Sequence, residues 1–353
     1  MIRTLTRSFF YIITGISLLA LLSPLISPKW FWPATVPGLF FIYLVIIQLI
    51  YLGYWTNKKK KLAFVSLAVL FLSLPYFNRT ISLYPMGSDG GTNIMSIASY
   101  NIYGLKKFRK KLEKGGEKVR KQLHNDLKDL QRPDVMCVQE ANGFVQQTLG
   151  EILGYPHAHK LASKDLVLYS NHAFLAKGEV ELPSRSGKCT WADIRVEGQP
   201  VRVYCVHLES NRVSSDADQL LREGNIQERK SWQKVVDLFR RYSSSAKDRA
   251  AEVKIIREHT SESPYPVVLA GDINDTPVSY TYQQLSRGLQ DVFVKNSRGI
   301  SSTYNGIIPF LRIDYIFTDK SSQVLNYYVP RWSWSDHYPV FTEIALDSLS
   351  KAN

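Results

Sequence analysis

The sequence predicts an α/β domain of two mixed β-sheets packed face to face with helices outside, held behind an N-terminal membrane anchor. Three observations predict it. Apolar, β-branched runs occur both singly between helical stretches and in consecutive series, which suits mixed sheets better than a doubly wound parallel sheet. Several of these runs stop abruptly at Asn, Glu, His or Asp, and strand ends are where α/β folds place their chemistry. Three apolar stretches without a charge precede the first such strand.

The anchor comes first in the chain. Residues 9–26 and 36–54 each have about the 20 residues needed to cross a hydrocarbon core. Residues 62–77 are shorter and contain Pro75, and Lys61 can snorkel to extend them. A cleavable signal peptide accounts for the first stretch but not for the second. Trp30, Trp32, Tyr51, Tyr54 and Trp55 fall at interface depths, so the lipid bilayer is the expected partner of this region. The NKKKK run at 57–61, with Arg3 and Arg7, favours the cytoplasm under the positive-inside rule. Three crossings then place everything after Arg79 outside the cytoplasm. If 62–77 does not cross, the rest of the chain is cytoplasmic. The division is a membrane anchor over 1–79, a Gly- and Ser-rich juncture over 80–93 and a catalytic domain over 94–350.

Charge and cysteines bound the function classes. The net charge is +13, but residues 1–79 hold eight basic residues and no acid. The remainder has 36 basic residues against 31 acidic, so the folded domain is only modestly basic. No aromatic-basic repeat marks a nucleic-acid track. Cys137, Cys189 and Cys205 lack zinc-like spacing, and Cys137 and Cys205 lie in apolar strand runs where buried free thiols belong. There is no G-x-S-x-G, no Walker sequence and no dinucleotide fingerprint.

Element by element, residues 94–102 read as the first strand. Residues 106–130 form a charged helix with ten basic and four acidic residues and a stripe of Leu112, Val119, Leu123, Leu127 and Leu130. That helix is either a solvated packing helix or an attractor of a polyanion or anionic lipid surface. A strand over 135–139 and a helix near 143–153 follow. Strands are expected over 166–169, 190–196 and 201–207, and a polar loop near the active face over 211–225. Two amphipathic helices, about 227–242 and 247–259, lead to a strand over 265–271 and a short helix near 280–285. Strands over 313–317, 324–329 and 338–344 complete the domain.

The strand ends carry the chemistry. Glu140 closes DVMCVQE and can hold a hard divalent ion, or it can cap a helix N-terminus. Asn101 offers a neutral oxygen to the same ion, or serves a turn. In GDIND, Asp272 and Asn274 have alternate spacing and can point the same way, the acid taking a proton from water and the amide donating to a phosphoryl oxygen. Asp275 reads as turn and cap chemistry. His207 closes VRVYCVHL and can donate to a phosphate or protonate a leaving oxygen. Asp336 and His337 are adjacent in SDHYPV, so both serve one site only if the chain turns there. Asp314 is the carboxylate expected to hold the His337 tautomer, with pairing to Arg312 as its alternative. Asp336 can contact a metal or its water. Oxygen donors favour Mg²⁺ or Mn²⁺, and the absence of an activated serine or cysteine favours direct attack by water.

Together SYN (99–101), QE (139–140), VHL (206–208), GDIND (271–275), RIDYIF (312–317) and SDHYPV (335–340) resemble, in order, the endonuclease/exonuclease/phosphatase superfamily, whose members include deoxyribonuclease I-like and exonuclease III-like enzymes. The resemblance covers about 94–346. It implies a four-layer α/β sandwich and a divalent-metal phosphoesterase site. Asn101 and Glu140 match the metal-side positions, and His207 the mid-chain phosphate histidine. Asp272 and Asn274 match the GDxN pair, and Asp314, Asp336 and His337 the late cluster. Ile273 stands where phenylalanine is common and Val206 where threonine is common. The anchor resembles an arrangement in some bacterial members, and with the apolar stretches and the lysine run above the expectation is a multi-pass protein of a bacterial inner membrane with an extracytoplasmic catalytic domain. The expected activity is phosphodiester hydrolysis of endonuclease or exonuclease type. The alternatives are a sphingomyelinase-like lipid phosphodiesterase or a phosphatase, and, from another class, a non-catalytic membrane-tethered binding domain. Nucleic acid or phospholipid is the expected substrate, and no protein partner is indicated.

Overall fold

The computed structural model describes residues 2–83, 93–128, 132–161, 165–210, 216, 218–220 and 229–346. It opens with α1 (Ile2–Leu22), α2 (Thr35–Leu39), α3 (Phe41–Thr56) and α4 (Lys60–Thr80). Among the described residues, two helices are long and apolar enough to cross a membrane, over Thr4–Leu22 and Lys60–Thr80. The third apolar stretch is therefore a full helix of 21 residues, and Pro75 lies inside it without ending it. The second stretch differs from the single span expected. It breaks at Phe40, and the helices on either side are bent by 70°. Pro37 followed by Gly38 weakens the helix at that point. Gly38 also sits against Ser23 and the Val278 carbonyl, where a Cβ would collide.

α1, α3 and α4 form an antiparallel bundle. At one end Phe10 packs with Trp55 and Leu62. At the other, Leu21, Phe41 and Val45 pack with Val278 of the following domain. Gln48 is buried between, its Nε2 donating to Ser17 Oγ at 3.1 Å. The lysine run at 58–61 and the sheet-bearing domain thus occupy opposite ends of the bundle. The juncture is tighter than a linker. β1 (Ile81–Leu83) pairs antiparallel with β11 (Arg298–Ile300), and Arg312 Nη2 donates to Arg79 O at 2.7 Å. The rest of the juncture, 84–92, lies outside the described residues.

The domain is built on two six-stranded mixed sheets. The first contains β2 (Ile94–Asn101), β3 (Val135–Gln139), β4 (His157–Lys160), β5 (Leu166–Ser170), β13 (Gln323–Tyr328) and β14 (Val340–Ala345), in the order β13-β14-β2-β3-β5-β4. The second contains β6 (Phe174–Val180), β7 (Lys188–Val196), β8 (Gln199–His207), β9 (Val267–Asp272), β10 (Leu289–Asp291) and β12 (Asp314–Asp319), in the order β10-β12-β9-β8-β7-β6. The pairs β2·β3 and β8·β9 are parallel; the other pairs are antiparallel. Ile97, Val135 and Leu166 of the first sheet meet Ala192, Val203, Val268 and Ile316 of the second in one apolar core. Leu123 of α5 (Lys106–Lys128) and Val145 and Leu149 of α6 (Gly143–Leu153) cover the first sheet's outer face. Val253 and Ile256 of α7 (Arg229–Ser261), with Tyr282 and Leu285, cover the second. This is the predicted architecture of two packed sheets flanked by helices.

Three local expectations change. β4 and β6 are present where no strand was expected, because 157–160 and 174–180 are edge strands with little apolar alternation. α5 is kinked at Gly116, where φ is 53°. Of its stripe, Leu123 is buried and Val119 packs beside it. The side chains of Leu112 and Leu127, and Leu130 altogether, lie outside the described residues. So does the loop over 211–225, apart from 216 and 218–220, which are helical. The two helices expected over 227–259 are one helix of 33 residues. The segment between the two expected helices is packed, with Ser243 and Ser245 buried. Asp275 ties the helix across that point, accepting from Tyr242 Oη at 2.9 Å and pairing with Arg249 at 3.4 Å.

Arg249 and Asp275 are both buried, so removing one charge strands the other. Arg249→Met is expected to destabilise the chain by about 3–5 kcal/mol, the scale for breaking a buried pair. Denaturant unfolding of the full chain in detergent measures it, and unchanged stability would show that the pair does not hold α7.

Candidate active site

The side-chain period of two along each strand assembles the site. In β8, Val201, Val203 and Cys205 enter the inter-sheet core while Tyr204 and Val206 face the helices. His207 therefore continues the inner face past the last apolar residue. The same parity runs from Val268 and Ala270 to Asp272, from Ile316 back to Asp314, and from Met95 and Ile97 to Asn101. Register aligns three of them: Asp272 is paired with His207 on one side and Asp314 on the other. Gly271 permits this. Its φ is 155°, and a Cβ there would collide with the Val206 carbonyl of the neighbouring strand.

Asn101 joins the two sheets. Its Nδ2 donates to Asp272 Oδ2 at 2.9 Å and to Glu140 Oε1 at 3.3 Å, while its Oδ1 accepts from Tyr103 N–H at 3.1 Å. The nitrogen, not the expected oxygen, thus faces the carboxylates. Glu140 follows β3 with φ at 55°, which turns its side chain out of the strand's alternation. His337 Nδ1 lies 2.9 Å from Asp314 Oδ2, the partnership expected from sequence. Arg312, the alternative partner, pairs with Asp291 at 2.8 Å instead. His337 Nε2 and His207 Nε2 each stand 3.9 Å from Asp272 Oδ2. The turn required between Asp336 and His337 is present, with His337 N–H donating to Ser335 Oγ at 3.2 Å. Asp336 is half-buried, and Ser335 Oγ approaches its Oδ1 at 3.2 Å.

Asn274 corrects the alternation argument. β9 ends at Asp272, and Asn274 sits beyond it with φ at 53°. The turn sets its direction: its N–H donates to Asp272 Oδ1 at 2.8 Å and its Nδ2 to Leu208 O at 3.0 Å. Asp275 is a buried anchor for α7 as well as a turn residue, accepting also from Thr276 N–H and Thr281 Oγ1. The three cysteines are free and buried, as expected of Cys137 and Cys205.

Burial governs the electrostatics. It pushes the Asp272 carboxyl up to about 6, reinforced by the charge of Asp314 and opposed by both histidines and Asn101. Burial lowers the proton affinity of His207, against the pull of Asp272. Burial acts the same way on His337, but Asp314, Asp272 and Asp336 override it and push the ring up to about 10. Within the site, both ring nitrogens of His207 and Oδ1 of Asp314 are buried without a hydrogen-bond partner, as are buried atoms elsewhere such as Arg249 Nη2 and Thr276 Oγ1. Such atoms are expensive unless a ligand completes them.

Oxygen-rich donors of this kind fit a hard divalent ion. Asp272, Asp314 and His337 bring ligand atoms within 4.8 Å of one another, a buried cluster able to coordinate one. That cluster differs from the set expected from sequence, Asn101, Glu140 and Asp336.

Residues 303–305 are site structure that sequence reasoning missed. Thr303 Oγ1 accepts from the N–H of Ile313 and of Asp314, both at 3.0 Å. Tyr304 bridges to His337 and lays its ring edge-on at 5.7 Å. Asn305 N–H donates to Asp336 O at 2.6 Å. Ser335 Oγ donates to Asn101 O at 2.8 Å, tying the SDH segment to the end of β2. No local sequence signal marks 303–305, because their function is to clamp two distant strand ends.

Comparison with known proteins follows the same division. A family model described as the endonuclease/exonuclease/phosphatase family matches residues 98–337. A second, described as a domain of unknown function, matches residues 3–80. The uncharacterized protein YbhP of Escherichia coli K12 is 30% identical over 104 residues, 28% of this chain and 41% of that relative. The match therefore spans about two fifths of the relative's length. Among solved structures, humanized D. rerio TDP2 superposes with a TM-score of 0.52 at 19% identity, over 72% of this chain and 99% of that one. An endonuclease/exonuclease/phosphatase family protein of Bacteroides thetaiotaomicron gives 0.51 at 18% identity, over 71% and 97%. At these identities the superpositions show a shared fold.

The crowding at Gly271 sets a test that needs no substrate. Gly271→Ala is expected to destabilise the chain by about 1–3 kcal/mol, the cost of overpacking. A drop of several degrees in the thermal transition checks it. An unchanged transition would mean that β8 and β9 do not approach as described.

Proposed function

Because the chain belongs to the endonuclease/exonuclease/phosphatase family, we propose that it is a divalent-metal-dependent phosphodiesterase in which water attacks phosphorus directly. The observation that supports this most is the set of partnerless buried atoms on His207 and Asp314, beside Asp272 and the Asp314–His337 pair. A phosphoryl oxygen can accept from the His207 ring N–H, and a water in the site can donate to the free oxygen of Asp314. A buried carboxylate of raised proton affinity between two imidazoles favours acid–base chemistry over binding alone.

Asp272 takes the proton of the attacking water, and its raised proton affinity suits that task. His337, held by Asp314, donates to a phosphoryl oxygen where charge grows in the transition state. His207 is the second donor. Asn274 fixes the turn behind Asp272. Ser335 Oγ is committed to Asn101 O and the cysteines are buried, which favours water over a covalent nucleophile. Mg²⁺ or Mn²⁺ held by Glu140 and Asp336, with the Asn101 amide turned over, would neutralise charge on the phosphoryl oxygens. This seat is preferred to the Asp272–Asp314–His337 cluster because the facing atoms of Asp314 and His337 are engaged with each other.

A nucleic-acid substrate, the first expectation from sequence, draws support from α5. Lys107 Nζ donates to Ser335 O at 2.9 Å, and Lys111 lies over the Trp334 ring at 4.7 Å, so basic side chains reach the SDH segment. We also propose that residues 1–79 anchor the chain in a bacterial inner membrane, that 80–93 form the juncture, and that the catalytic domain over 94–350 is extracytoplasmic. The opposite placement of the lysine run and the domain on the helical bundle supports that orientation.

Glu140→Gln is expected to cut turnover steeply, with partial recovery in excess Mg²⁺ or Mn²⁺; unchanged activity and metal dependence would remove Glu140 from the mechanism. Asp272→Asn and His337→Ala are each expected to lose at least ~10²-fold in kcat, the scale for a positioned acid or base. Either folded variant turning over a phosphodiester at the wild-type rate refutes that residue's role. For orientation, a reporter active only outside the cytoplasm is expected to be active when fused after Arg79. An inactive reporter there, with a cytoplasmic one active at the same junction, reverses the assignment.

A further inference from the structure

An apolar cavity of ≈ 460 Å³ lies between the anchor and the catalytic domain. One wall is the elbow at 38–43, where the second apolar stretch bends by 70°. The facing wall is Val235 and Phe239 of α7 with Ile308 and Phe310 of the loop after Asn305. Its end is the exit of the GDIND motif, Asn274 to Val278. Asn274 belongs to both spaces, since its N–H holds Asp272 Oδ1. Asp275 and Tyr242, which also line the cavity, are bonded to each other, and apart from Thr80, Thr276 and the Tyr43 and Asn274 polar groups the walls are apolar.

The surroundings say what such a cavity meets. α1 and α4 are long and apolar enough to cross a bilayer, and both end at the elbow side of the bundle. The elbow therefore lies at the membrane surface. Exposed apolar side chains surround it: Trp30 (89% exposed), Ile307 (41%) and Phe310 (42%). Tyr43 Oη donates to Pro309 O at 2.7 Å, which fastens the loop to the anchor. The volume is in the roughly 300–1,000 Å³ range of ligand sites. A ligand that fits has an apolar tail on the membrane side and a phosphodiester at the Asn274 end.

We infer that this cavity seats an acyl chain of a membrane glycerophospholipid and so delivers its phosphodiester to the Asp272–His207–His337 site. The inference rests on the hydrolase reading above for the chemistry, but not for the binding. The full chain in nanodiscs containing a phosphatidylcholine with a diazirine-bearing acyl chain tests it. After photolysis, label is expected on peptides containing Val235, Phe239 and Ile308, residues of the sheet-bearing domain. Val235→Trp with Ile308→Trp fills the cavity, and in that variant the label on these peptides should fall at least ~10-fold, a loss of one decade of affinity. The ratio of kcat/KM for vesicle phospholipid to that for bis(p-nitrophenyl) phosphate should fall with it. Label confined to α1, α3 and α4, or unchanged in the filled variant, overturns the inference whatever the turnover. Hydrolysis of single-stranded DNA in preference to phospholipid, without labelling of the domain, overturns it in favour of nucleic acid. Labelling without metal-dependent turnover of either phosphodiester keeps the lipid seat and overturns the hydrolase reading.

Discussion

The site depends on one amide that spans the gap between the sheets. Asn101 ends a strand of the first sheet, and its nitrogen reaches Asp272 at the end of a strand in the second. Between them lies a dry core in which most inward positions are apolar, from Met95 and Ile97 to Val268 and Ala270, with Ser99 and Gln139 bonded to each other near the strand ends. The core can stay dry because its polar business is deferred to the strand ends. There Asn101, His207, Asp272 and Asp314 continue the same inner faces, so one pattern both closes the core and opens the site.

Such an arrangement sets burial against charge. Asp272, Asp314 and His337 are nearly excluded from water, and the carboxylates hold the proton on His337 against the burial that would remove it. Asp314 and His337 satisfy each other, while His207 and one oxygen of Asp314 are left incomplete. A few residues away, Asp275 is fully served by Tyr242, Thr281, Thr276 N–H and Arg249.

The anchor is continuous with this frame. β1 adds to β11, Arg312 grips the last turn of α4 through the Arg79 carbonyl, and Val278 packs into the helical bundle. Val278 lies six residues after Asp272, so the membrane bundle and the catalytic strand end share one short segment. That proximity gives the bend at Phe40 a structural purpose: a straight span would carry the chain past the domain, whereas the elbow lies along it.

Much of this was legible in the residues. Strand ends at Asn101, Glu140, His207, Asp272 and Asp314 announce themselves because an apolar run stopping at a polar side chain is a local event. The pairing of Asp314 with His337 followed from chemical type. Other features were not local. The single helix across the serines at 243–245 depends on Asp275, the broken second span depends on contact with Val278, and the clamp at 303–305 depends on strands far apart in the chain. Asn101 shows the limit most clearly. Its residue type and position were determined by the sequence, but which end of its amide faces the carboxylates was decided by Tyr103 on one side and Asp272 and Glu140 on the other. Sequence determines the pattern of apolar and polar positions along each strand. Only the tertiary structure decides which partners those positions meet, because partners come from other strands, and the cost of leaving them unmet in a dry core selects the geometry.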